Sequence, residues 1–107
     1  MKMIAACLLL TFLLFLALPA AGQMPERRAR QLLDAFGCRA CHSIEGRGGE
    51  IGPSLDAVGS RLTAEQIQQQ LLAPRSRNEQ SIMPSFAQLP AEDLAVLIEF
   101  LSSRRSP

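Results

Sequence analysis

Between residues 25 and 103, apolar positions recur at the three- and four-residue spacing of helices in three separate stretches, and nowhere do they alternate with polar ones as a strand requires. The first stretch, PERRARQLLDAF, sets Ala29, Leu32, Leu33 and Phe36 on one side. Pro25 suits a first helical position there, and Gly37 ends the helix. The second, TAEQIQQQLLA, opens on the capping-box pair Thr63 and Gln66, turns Ile67, Leu71 and Leu72 inward, and stops before Pro74. The third starts at Pro90 and reads AEDLAVLIEFLSS, with Glu92 and Asp93 at the positive end of the helix dipole and a stripe of Leu94, Leu97, Ile98 and Leu101. Two irregular stretches lie between, SIEGRGGEIGPSL after residue 42 and PRSRNEQSIMPSFAQL up to Leu89. The pattern predicts an all-α domain of three main helices, two long loops and no sheet. Loops this long in a small domain imply a large group packed inside them.

The chain before these helices has a different character. Residues 1–22 carry Lys2, an apolar run from Ile4 to Ala17, then Pro19 and the small residues Ala20, Ala21 and Gly22. This is the layout of a secretory signal cleaved before Gln23. A retained anchor is the second reading, because Ile4 to Ala21 is uncharged and just long enough to span a bilayer. Ile4-Ala5-Ala6-Cys7 resembles a lipobox, yet that cysteine precedes the apolar run instead of following it. Arg27, Arg28 and Arg30 beyond the run favour the opposite orientation by the positive-inside rule. The cysteine chemistry outweighs that signal.

Export leaves a domain at 23–107 of about 85 residues, too few to bury a large core without a disulfide, a metal or a cofactor. Its arginines and acidic residues balance, and the whole chain carries a net charge of +1. That excludes a dedicated nucleic-acid binder, which would be strongly basic on one face.

Cys38-Arg39-Ala40-Cys41-His42 is C-x-x-C-H, the attachment signature of c-type haem. Two thiols three residues apart share one face of a helical turn, so both reach one edge of the porphyrin, and the histidine that follows lies under the iron. A redox disulfide of the thioredoxin kind needs a βαβ unit that the pattern lacks, and a zinc site needs two further ligands, although the remaining cysteine is in the leader. For the second axial position, the exported domain holds Met24, close to its amino terminus, and Met83, in a loop stiffened by Pro84. Met83 is the expected ligand.

From about Pro25 to Ser103 the chain resembles a class I cytochrome c of the small bacterial monohaem type. The resemblance rests on Cys38, Cys41, His42, Gly52-Pro53-Ser54-Leu55, Arg61, Met83-Pro84 and Phe100-Leu101. It implies a small cytochrome c fold, in which the terminal helices cross and the loops wrap one covalently bound haem. It also implies that the Pro53 carbonyl accepts the Nδ1 hydrogen of His42 and that Arg61 contacts a haem propionate. Ala29 or a neighbour stands where many relatives carry a glycine at the helix crossing. With no tyrosine or tryptophan present, Ser81, Asn78 and backbone groups are the other propionate candidates.

Iron held by His42 and Met83 has no open position, so the expected role is a periplasmic one-electron carrier between redox partner proteins, not an enzyme. The same sequence would serve as a bound or membrane-anchored haem subunit of a larger oxidoreductase. A reading of another class is a five-coordinate haem protein that binds gas or acts as a peroxidase. Arg39, Arg47, Arg75 and Arg77 are expected around the haem, either as a basic ring that steers an acidic partner or as scattered surface charge. Gly46-Arg47-Gly48-Gly49 has neither a strand before it nor a helix close after it, so it reads as a flexible bend and not a phosphate loop.

Overall fold

The computed structural model describes residues 3–8 and 22–107. Most of the expected leader, including Pro19 to Ala21, lies outside the described residues. Residues 3–8 are helical with exposed side chains. Among the described residues, no helix is long and apolar enough to cross a membrane.

The three expected helices are present: α1 (Gln23–Ala35) follows, then two shorter elements precede and follow the central one, and a last helix closes the chain. In chain order after α1 these are α2 (Val58–Arg61), α3 (Ala64–Leu72), α4 (Pro74–Arg77) and α5 (Ala91–Ser102). Helix α1 begins two residues ahead of Pro25, which the first turn tolerates because its N–H would be unpaired there in any case. It ends at Gly37, whose φ of 73° is left-handed and whose N–H reaches the Asp34 carbonyl. Helix α3 starts on the full capping box: Gln66 N donates to Thr63 Oγ1 (3.2 Å), and Thr63 N donates to Gln66 Oε1 (2.9 Å).

One expectation fails. Ser43–Ile44 (β1) and Arg47–Gly48 (β2) pair antiparallel, with Ser43 opposite Gly48 and Ile44 opposite Arg47. The connecting Glu45 and Gly46 have φ of 53° and 75°, the two positive values that a tight primed hairpin turn needs. Strands of two residues are too short to show alternation, so the pattern along the chain was silent about them.

A single cluster forms the core: Ala29, Leu32 and Leu33 from α1, Ile44, Val58, Ile67 and Leu71 from the middle of the chain, then Phe86, Leu89, Leu97, Phe100 and Leu101. Each large apolar side chain buried this way contributes roughly 1.5–3 kcal/mol. The buried face of α5 is Leu97, Phe100 and Leu101; Leu94 and Ile98 are only half-buried, which shifts the expected stripe toward Phe100. The shift arises because α5 packs against α1, α2 and α3 together, so more than one stripe is covered. Ala29 is fully buried and α1 and α5 pack directly, so a methyl group is small enough at this crossing. The pair is tied on its outer edge by Arg28 Nη2 and Asp93 Oδ1 at 3.0 Å. After α5 the chain returns to α2, where Gly59 N donates to the Arg104 carbonyl and Ser106 N to Ser60 Oγ, both at 2.7 Å.

Candidate functional site

Between α1, the Cys38–His42 turn, residues 51–55, α3, α5 and the stretch around Met83 lies a cavity of about 590 Å³, within the range that takes a sizeable prosthetic group. All six residues expected at a site line it: Cys38, Cys41, His42, Pro53, Arg61 and Met83. Met24 does not; it is exposed on α1.

The C-x-x-C-H segment forms a compact turn that opens as a 3-10 turn, Cys38–Ala40. Cys41 N and His42 N both donate to the Cys38 carbonyl, at 3.3 and 3.0 Å. Both cysteines sit at half-buried positions without a disulfide between them, and burial pushes the Cys38 thiol above its ordinary range. The turn is held from outside by Arg39, which is only 14% exposed: Nε donates to Asp34 Oδ1 (2.8 Å) and Nη1 to the Ile44 carbonyl (2.7 Å). Arg39 is therefore an inward structural tie and not part of a surface ring. Arg47, Arg75 and Arg77 are exposed.

His42 Nδ1 donates to the Pro53 carbonyl at 2.7 Å, which leaves Nε2 as the basic nitrogen. The loop after the hairpin presses on this turn, beginning with Gly49, the last residue of the stretch expected as a flexible bend, whose Arg47 and Gly48 form β2 instead. Gly49 N donates to the Arg39 carbonyl (2.9 Å), Gly52 N to the Cys41 carbonyl (2.6 Å) and Leu55 N to the Ser43 carbonyl (2.9 Å).

Met83 is half-buried, with its main-chain N–H donating to Ser81 Oγ at 3.2 Å. Its sulfur accepts from Gln70 Nε2 at 3.4 Å, so one lone pair is engaged and a second is free. Gln70 escaped the sequence reading, although its helical offset of three from Ile67 was the available signal. Phe36 also lines the cavity and meets the buried Phe86 edge to face, centroids 6.4 Å apart. Arg61 is exposed at the rim, donating Nη2 to the Ser54 carbonyl at 2.8 Å; Asn78 and Ser81 line the same cavity.

The donor set fits haem. Two thiols, an imidazole whose Nε2 has no partner among the described residues and a thioether with a spare lone pair all line one cavity, whose wall includes the apolar side chains Leu33, Ile67, Leu71 and Leu97. The comparisons agree. The family model described as cytochrome c oxidase, cbb3-type, subunit III matches residues 24–101. A curated relative, "Cytochrome c oxidase subunit 2" of Alkalihalophilus pseudofirmus, is 26% identical over 84 residues, covering 71% of this chain and 25% of that protein. The chain thus spans about a quarter of the length of that relative. With the C-x-x-C-H turn and the loop methionine inside the matched range, the chain belongs to the cytochrome c oxidase, cbb3-type, subunit III family, a c-type cytochrome domain, which implies haem-based electron transfer.

Proposed function

We propose that this is a monohaem c-type cytochrome, in which haem c is joined to Cys38 and Cys41 and ligated by His42 and Met83. The observation that carries this reading is that the attachment turn and Met83 line the same cavity while Pro53 keeps the His42 tautomer with Nε2 free. Haem held there supplies a one-electron iron couple, and thioether ligation favours its reduced state. The protein's own work is to hold both ligands, exclude water with apolar walls and neutralise the propionates, a task assigned to Arg61 at the rim. Nothing has to open for an electron to pass, so the role is transfer and not catalysis. The domain is 23–107, and residues 1–22 direct export to the periplasm or remain as an anchor.

A second reading is favoured by the comparisons: the domain works as the haem subunit of a larger oxidoreductase, since the matched family and the curated relative are both named as oxidase subunits. Both readings require the same cofactor. A pyridine haemochrome spectrum of protein matured with the haem-attachment machinery is expected to show the c-type spectrum, and the oxidised protein the weak near-red band of sulfur bound to iron. Colourless protein overturns the proposal, and a missing near-red band removes Met83 and revives the five-coordinate alternative. Size-exclusion chromatography from the source, free or within a large complex, separates carrier from subunit.

A further inference from the structure

We infer that Gly52 is a positioning residue for the His42 imidazole, an inference that rests on the reading of His42 as an iron ligand. Gly52 lies against the ring itself. An ideal Cβ at this position would fall 2.6 Å from Nδ1 and 2.9 Å from Nε2, and closer still to Cε1. All three are ring atoms, so the α-carbon is seated on the imidazole and not on main chain. Its φ lies outside the left-handed region, so the backbone would accept alanine; the ring alone forbids it.

The seat is anchored on both sides. Gly52 N donates to the Cys41 carbonyl at 2.6 Å, and the next residue, Pro53, accepts from His42 Nδ1 at 2.7 Å. The first bond ties Gly52 to the residue preceding the histidine, so the loop cannot retreat without breaking it. A methyl group at 52 must therefore swing the imidazole or pull Pro53 away, and either movement weakens the Nδ1 hydrogen bond that sets the basicity of Nε2. Pro53 holds the tautomer, and Gly52 holds the tilt.

Two measurements test this. In reduced, diamagnetic holoprotein, NMR is expected to show strong cross-relaxation between the Gly52 α-protons and the His42 ring protons, with the α-protons shifted by the ring current. Their absence overturns the inference without any substitution. In Met83→Ala holoprotein, whose reduced iron keeps His42 as its axial protein ligand, the resonance Raman iron–histidine stretch is expected to shift when Gly52→Ala is added. Glu50→Ala, at an exposed neighbour, should leave it in place. An unmoved band in the Gly52→Ala variant overturns the inference, and if that variant does not mature the NMR result decides. Failure of the functional reading looks different: wild-type protein then lacks a c-type haemochrome altogether.

Discussion

Phe100 is buried with two cations against its ring. Arg104 Cζ lies 4.0 Å from its ring centroid and Arg30 Cζ 5.4 Å, while the ring is 4% exposed. Among the described residues, Arg104 Nε and Nη2 are buried with no hydrogen-bond partner, and the Glu26 carboxylate at 3.9 Å is too far to accept one. Leaving such N–H groups unpaired costs about 1–3 kcal/mol each. The face of the ring offsets part of this, at about 0.5–2 kcal/mol per cation. Phe100→Leu keeps most of the apolar volume and by packing alone should cost less than about 1.5 kcal/mol. Losing both ring contacts brings the expected total to about 2–3 kcal/mol. For a domain of this size each kcal/mol moves the melting temperature by about 4–8 °C, so a fall of about 10 °C or more is expected. Arg104→Met keeps the stem and removes the unpaired N–H groups together with the ring contact that offsets part of their cost, so alone it should be neutral to stabilising. Combined in a double-mutant cycle, the two should show a coupling of about 1 kcal/mol. Thermal unfolding of the oxidised holoprotein, followed by far-UV circular dichroism, measures all four forms. Zero coupling would show that the ring does nothing for the buried guanidinium and would refute this reasoning.

Other consequences follow from single features of the structure. Met83→Ala should retain covalent haem, lower the potential and let the iron take up exogenous imidazole or cyanide; an unchanged potential with no uptake in optical titrations would mean another residue is the ligand. The Arg30 hydrogen bond at 3.0 Å holds the Glu45 carboxyl below its ordinary range. A lowered carboxyl stabilises the fold above its unfolded value of about 4.3 and loses that stabilisation as pH falls through the lower folded value. Because the pair is about one-third exposed, the effect is below about 1 kcal/mol. The melting-temperature gap between wild type and Glu45→Gln should be complete near neutrality and close below about pH 4; a gap that persists in acid contradicts the assignment. Thr63→Ala removes one half of the α3 cap and should cost about 1 kcal/mol in denaturant unfolding, with no change in the haem spectrum.

Local chemistry made much of this protein legible in its sequence. The helices at 23–35, 64–72 and 91–102 follow from apolar spacing, Thr63–Gln66 and the glycine and prolines at their ends, because caps and periodicity act within a few residues. C-x-x-C-H pointed to haem because the whole signature sits within five consecutive positions. Tertiary structure decided what depends on residues distant along the chain. Arg39 became a tie because Asp34 and the hairpin carbonyls enclose it, and Gly52 proved to be a seat for an imidazole ten positions earlier. Gln70 reaches the Met83 sulfur, and Phe100 is shared by Arg30 and Arg104, only because α3 and α5 bring them there. Sequence spacing records which face of a helix is apolar. Which partners meet that face depends on packing among elements, and packing acts on distances that the linear order of residues does not contain.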